Sequence, residues 1–261
     1  MRLRTVSNAL ATFGMDPVKF AGALVALPRF LADLARFVRS PERPMPLGKL
    51  YPCLHDRTEA AGCASGHYFH QDLYVARQIF ARRPARHVDV GSRIDGFVAH
   101  LLTFMPVEVV DVRPLDPGGV PGLSFRRGDA TSLEPYGTGE LESISCLHAA
   151  EHFGLGRYGD PLDPRGHEKA IAALRRVTRP GGLIYFSVPV SGRERVEFNA
   201  HRVFRPETIV ALFSGCRLVD FALVDDRGDL RTDATFEDAT LQRFGCGIFT
   251  FERLVSILPP S

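Results

Sequence analysis

One pattern constrains this chain more than any other. Short segments that are apolar along nearly their whole length alternate with segments of helical spacing. Strands are expected at 87–90, 107–112, 123–125, 141–147, 183–188, 217–224 and 247–251, and helices at 66–83, 97–104, 167–177 and 206–213. A strand that is apolar on both faces needs cover on both. The expectation is therefore a doubly wound, mostly parallel Rossmann-like α/β sheet with helices on either side. In the helix over 66–83, Leu73, Ala76, Ile79 and Phe80 are expected to face inward.

Residues 1–50 read differently and are taken as an N-terminal helical extension to an α/β domain over 51–261. Phe20, Leu24, Leu27, Leu31, Leu34 and Val38 recur every three or four positions and share one helical face. Pro28 should kink or divide this helix. Such a stripe is expected to pack on its own domain or on a second copy of the chain. The flanking Lys19, Arg29, Arg36 and Arg39 leave open a second placement, with residues 18–38 lying on an anionic membrane surface.

Charge and cysteine content narrow the function classes. The net charge of +2 comes from 32 basic and 30 acidic residues without a basic cluster of any length, so a nucleic-acid partner is not expected. Five scattered cysteines form no CxxC pair, which argues against a disulfide framework and suits a cytoplasmic protein. No apolar run is long enough to span a bilayer. The cysteines are read as small buried apolar residues without a partner base.

In a doubly wound sheet, ligands bind beyond the carboxyl ends of the strands, where strand order reverses. The first strand exits through Asp89-Val90-Gly91-Ser92-Arg93-Ile94-Asp95-Gly96. Its glycines let the backbone approach a cofactor. Asp111, about 20 residues further on, is placed to accept hydrogen bonds from ribose hydroxyls. Gly128-Asp129-Ala130 follows the third strand, and Glu151-His152 closes the fourth. Arg179-Pro180-Gly181-Gly182 leads into the fifth.

In this order the motifs resemble class I S-adenosylmethionine-dependent methyltransferases over roughly residues 85 to 253. The stretches Gly66-His67-Tyr68-Phe69-His70-Gln71-Asp72, 87–97 and 148–167 are similar to the bacterial DUF268 family. The first resemblance implies S-adenosylmethionine as cofactor, held by Asp89, Gly91, Arg93, Gly96, Asp111 and Asp129. The second implies an acceptor such as a sugar or nucleotide-sugar in surface-polysaccharide biosynthesis. The chain departs from the usual Asp-x-Gly-x-Gly-x-Gly turn, with Arg93 and Asp95 at the later glycine positions. Arg93 could block the cofactor, pair with its carboxylate, or point to solvent. A chain of this fold that has lost or changed its cofactor, and serves as a binding or assembly component, is the alternative. A nicotinamide fingerprint over the same turn lacks its middle glycine.

For methyl transfer to a hydroxyl, a base must take the hydroxyl proton, and a histidine titrating near neutrality suits that task. His152 is the first candidate, with His148 and Glu151 behind it. His67, Tyr68, His70, Arg157, Tyr158, Asp160, His167 and His201 are candidates for touching the acceptor. Asn199 and Arg202 could reach it or merely anchor their loop. His152, Asp160, Asp163 and His167 match no tight ligand spacing, so no metal is expected.

Overall fold

The computed structural model describes residues 14–43 and 45–255. They fall into two units, the first ending at Cys63 and the second beginning at Ala64. Residues 1–13 and 44 of the expected extension lie outside the described residues.

In the first unit, helix α1 (Pro17–Arg39) starts at Asp16, whose carboxylate accepts the amides of Val18 and Lys19 at 3.0 Å each. Pro17 occupies the first turn, where its missing N–H loses no helical bond. The helix continues through Pro28 and is not divided there. A proline removes one donor, and the turns on either side are retained. No residue of α1 is buried: Phe20 is 67% and Leu24 56% exposed. Within its own unit, the stripe of Phe20, Leu24, Leu31 and Val38 is an exposed apolar face. Among the described residues, no helix is long and apolar enough to cross a membrane.

The second unit opens with α2 (His67–Arg82) and β1 (His87–Val90). A π-helical turn, Ile94–Val98, then runs into the short α3 (Ala99–Leu102). Next come β2 (Val107–Asp111), β3 (Leu123–Arg127), β4 (Leu141–Leu147), α4 (Gly166–Val177) and β5 (Thr178–Val190). The hairpin β6 (Arg195–Glu197) and β7 (His201–Val203) precedes α5 (Pro206–Leu212), β8 (Cys216–Val224) and β9 (Leu230–Arg231). Last are α6 (Phe236–Thr240) and β10 (Gly245–Arg253).

Eight strands form one sheet in the order β3-β2-β1-β4-β5-β10-β8-β9. The five from β3 to β5 are parallel, and β10 runs antiparallel between β5 and β8. The expected mostly parallel α/β sheet is what is found. Strand order reverses at β1, where β2 lies on one side and β4 on the other, opening a crevice above their carboxyl ends.

Strand alternation sorts side chains into two cores. Val88, Val90, Val110, Ile144 and Phe186 pack on one face with Ile171 and Leu174 of α4. Val107, Val109, Leu147 and Tyr185 pack on the other with Val75 and Ile79 of α2. On that second face β1 presents His87 and Asp89, both fully buried. Ser143 Oγ lies 2.7 Å from His87 Nδ1, and Ser145 Oγ lies 3.0 Å from Nε2. A buried polar group needs such partners. Helix α2 answers with polar residues of its own: Gln71 and Asp72 are buried on its inner face, whereas the expected Phe80 is exposed.

Candidate functional site

At the crevice lies a cavity of about 820 Å³. Residues from the ends of β1, β2, β3 and β4 line it, with Tyr68 of α2 and the loop that follows β4. Its floor is the turn after β1. Gly91 has φ +73°, and a Cβ there would meet the Ala149 Cβ at 3.1 Å, so the turn is one that glycine suits. Asp89 lies behind the turn, not on the cavity surface. Its carboxylate accepts Ser92 N at 3.0 Å, Ser92 Oγ at 2.7 Å and Ser145 Oγ at 2.5 Å. Burial pushes its pKa up to about 6, against which the serine hydrogen bonds act. Asp89 therefore braces the loop. Gly96 is likewise off the cavity surface, and its missing Cβ admits the Asp72 carboxylate, which would stand 2.5 Å from such an atom.

Arg93 borders the cavity without filling it. Its guanidinium pairs with Asp95 through Nη2 (2.8 Å) and Nε (3.1 Å), 5.5 Å from the centroid of the Tyr68 ring, and is more than half exposed. Asp111 stands in the wall, yet Arg113 already engages both carboxylate oxygens: Nη2 reaches Oδ2 at 2.6 Å, and Nε reaches Oδ1 at 3.0 Å. Asp129 holds Thr131 through Oδ1 alone, at 2.7 Å from the amide and 2.8 Å from the hydroxyl. Its other oxygen makes no hydrogen bond among the described residues.

The loop after β4 supplies the opposite wall. His148 and His152 both line the cavity, and Glu151 is buried between them. Glu151 Oε1 is 2.6 Å from His148 Nδ1 and 3.8 Å from His152 Nε2. His152 Nδ1 lies 2.6 Å from the Ala200 carbonyl, to which it must donate. This leaves Nε2 with a free lone pair. Burial lowers the His152 pKa, although the Glu151 charge opposes the shift. For His148, burial again disfavours the charged ring, but Cys246 and Glu151 outweigh it and hold the pKa well above the ordinary value. His148 also adopts φ +48°, a left-handed conformation uncommon outside glycine.

Other expected residues divide into those at the cavity and those away from it. Tyr68, Tyr158 and Asp160 line it. Asp160 accepts Gly154 N at 2.7 Å and Tyr158 N at 3.2 Å, fastening the loop on itself. Arg157 bonds the Ala200 carbonyl at 3.0 Å, and its guanidinium and that of Arg113 lie 5.2 and 4.5 Å from the Tyr158 ring centroid. His67 is outside the lining and stacks on His148, with centroids 5.1 Å apart. His70 meets Phe69 edge-on and does not line the cavity. His167 lies against Phe204, and His201 is 3.0 Å from the Glu197 carboxylate across the hairpin. Neither His167 nor His201 lines the cavity.

One contributor was not assigned from the sequence, and another was left between reaching the acceptor and anchoring its loop. Arg113 secures Asp111, and only its place two residues after the strand-end acid signalled it. Arg202 is buried and donates to the carbonyls of Glu151 (3.3 Å), Phe153 (2.7 Å) and Pro164 (3.2 Å), so it is the anchor of the β4 loop.

The model of the family described as "Caenorhabditis protein of unknown function, DUF268" matches residues 130–242, in line with the resemblance read from the sequence. No curated protein matches the chain. Among solved structures, the chain is similar to the 1,6-didemethyltoxoflavin-N1-methyltransferase of Burkholderia thailandensis, which carries 1,6-didemethyltoxoflavin and S-adenosylhomocysteine. The TM-score is 0.52 at 17% identity, over 71% of this chain and 79% of that one. It is also similar to the YcgJ protein of Bacillus subtilis, with TM-score 0.50 and 16% identity over 72% of this chain and 99% of that one. At such identities the likeness establishes a common fold. The doubly wound α/β arrangement expected from the motifs is the one present, and these structures share it.

Proposed function

We propose that this protein is an S-adenosylmethionine-dependent methyltransferase acting on a hydroxyl of a small acceptor. One observation carries the reading. The crevice cavity brings Gly91, Asp111 and Asp129 onto one wall and His152, with its free Nε2, onto another. The wall fits a nucleoside-bearing cofactor. The Gly91 turn offers backbone without a Cβ, and Arg93 is held aside by Asp95. Asp129 keeps one carboxylate oxygen free for an amino group, and Asp111 has acceptor capacity beyond its Arg113 bonds. When bound, S-adenosylmethionine supplies a methyl group on a sulfonium sulfur.

The chain's own groups do the rest. His152, neutral because burial disfavours its charge, takes the acceptor hydroxyl's proton on Nε2. The imidazolium that forms is stabilised by Glu151 at 3.8 Å and by the Ala200 carbonyl on Nδ1. His148 positions Glu151 from the other side. Tyr68 and Tyr158, with the cations of Arg93, Arg113 and Arg157 about them, suit an anionic, ring-bearing acceptor. A sugar of surface-polysaccharide synthesis offers the ring, and a nucleotide-sugar offers both the ring and the negative charge. A cytoplasmic location is part of the same proposal. The exposed apolar face of α1 supports a contact role for residues 18–38, on an anionic membrane surface or on a second copy. Liposome flotation and sedimentation of the full chain, against a form lacking residues 1–44, separate the two.

Calorimetric titration with S-adenosylmethionine and S-adenosylhomocysteine tests the cofactor. Micromolar binding is expected. No heat from folded protein at millimolar ligand would instead favour the alternative, a binding or assembly component that has given up this cofactor.

A further inference from the structure

Behind the cavity wall, three side chains from distant parts of the chain converge: His67 at the start of α2, His148 after β4 and Cys246 on β10. Each offers a ligand atom, and the three atoms lie within 4.8 Å of one another. Cys246 is fully buried and His148 nearly so. We propose that His67, His148 and Cys246 bind a zinc-class divalent cation.

Three observations support the site. First, Glu151 on His148 Nδ1, at 2.6 Å, occupies that nitrogen and leaves Nε2 as the one that can coordinate, its proton being displaced by the incoming cation. That Nε2 is buried and, among the described residues, has no hydrogen-bond partner. A buried polar atom without a partner is uncommon and asks for an occupant. Secondly, a carboxylate on the far nitrogen is the support that metal-bound histidines usually have, because it fixes the ring and raises its basicity. Thirdly, the His67 and His148 ring centroids are 5.1 Å apart. Two imidazoles on one tetrahedral ion, with metal–nitrogen bonds of about 2.0–2.1 Å, bring their centroids to about 5 Å. Two imidazoles and a thiolate are a ligand set that zinc favours over magnesium or calcium. On binding, the Cys246 thiol passes its proton to solvent and the sulfur coordinates as thiolate. Three protein ligands leave a fourth position. The proposal does not rest on the methyl-transfer reading, because metal content is measured without cofactor or acceptor.

The full chain, purified from zinc-supplemented cells, should carry close to one zinc per chain after passage over a weak chelating resin. Metal-free protein titrated anaerobically with cobalt(II) should develop a thiolate-to-cobalt charge-transfer band. Cys246→Ser and His67→Asn should each abolish that band or weaken cobalt binding by more than about 100-fold, and Glu151→Gln by about 10- to 100-fold. A Cys53→Ser/Cys63→Ser double variant should keep the band. The proposal is overturned if the wild-type protein binds less than a tenth of an equivalent at micromolar free metal. It also fails if both His67→Asn and Cys246→Ser retain wild-type affinity. Should Cys246→Ser not fold, the wild-type band together with His67→Asn decides the matter.

Discussion

His152 Nδ1 lies 2.6 Å from the backbone carbonyl of Ala200, and this contact leaves Nε2 as the ring nitrogen that the proposed reaction would use as its base. A carbonyl only accepts, so Nδ1 carries the proton and Nε2 the lone pair. Replacing His152 with Ala should lower turnover by about 10²- to 10⁴-fold, the usual worth of a positioned general base. Cofactor affinity should stay within a few-fold, since the Gly91–Asp111 wall is untouched. Burial depresses the His152 pKa, so kcat/KM should hold through neutral pH and fall on an acid limb centred below 6.5. Steady-state rates from pH 5 to 9 check this. An unchanged rate in the Ala variant removes the assignment.

Asp111 is expected to govern cofactor affinity and not turnover. Charge-assisted hydrogen bonds from a carboxylate contribute about 1.5–3 kcal/mol each. Asp111→Ala should therefore weaken S-adenosylhomocysteine binding by about 10- to 100-fold. The variant also frees Arg113, whose guanidinium now spans both oxygens of that carboxylate. Titration calorimetry on the variant and on wild type reads the difference. Equal affinities would mean that Asp111 serves only to hold Arg113.

The sheet was readable from the sequence because its strands are apolar along their length, and β1, β4 and α4 appear within a residue of where the pattern places them. Short elements were not. The β6–β7 hairpin and α6 are three to five residues long and carry no periodicity of their own. The hairpin forms where the chain after β5 folds back on the loop after β4, as the Arg202 contacts show, and α6 is closed locally by the Thr235–Asp238 capping box. At the site, strand-end acids and the Glu-His pair announced themselves by position. The partnership of Cys246 with His148 could not, since it depends on β10 returning between β5 and β8 from nearly a hundred residues away. The inner face of α2 misled for another reason. Phe80 has the spacing of a core residue, but the polar row on the sheet beneath draws Gln71 and Asp72 inward, with Ser187 Oγ donating to Gln71 Oε1 at 2.6 Å.

Arg202 should matter more to folding than to chemistry. Its buried guanidinium satisfies three carbonyls across the β4 loop. Truncating it leaves those oxygens without their donor, that of Glu151 in a buried part of the loop. Arg202→Ala should cost about 2–4 kcal/mol, more than an ordinary hydrogen bond because charge-assisted ones are lost together. The loss should appear as a lower denaturant midpoint with an unchanged slope. Arg202→Lys should recover only part of it, since one ammonium cannot reach three carbonyls in a fixed fork. Full stability in the Ala variant would remove the anchor role.

His87 should make stability depend on pH. Burial lowers its pKa from 6.5 to about 3, so between those values the unfolded chain binds a proton that the folded chain refuses. The stabilising contribution is complete above pH 6.5 and is lost as pH falls through that window, by about 1.4 kcal/mol per unit. Asp89 acts in the opposite sense. Burial raises its pKa from 3.8 to about 6, so the folded chain holds the extra proton in that range and gains stability as pH falls. The two tendencies offset each other in wild type, which makes the single variant informative. His87→Gln can still meet Ser143 or Ser145 but does not titrate. Urea denaturation of the two proteins between pH 7.5 and 4.5 should give curves that converge on acidification, since wild type alone loses the histidine contribution. Parallel curves would show that the His87 proton is taken up equally in the folded and unfolded states, and the buried, uncharged assignment would fail.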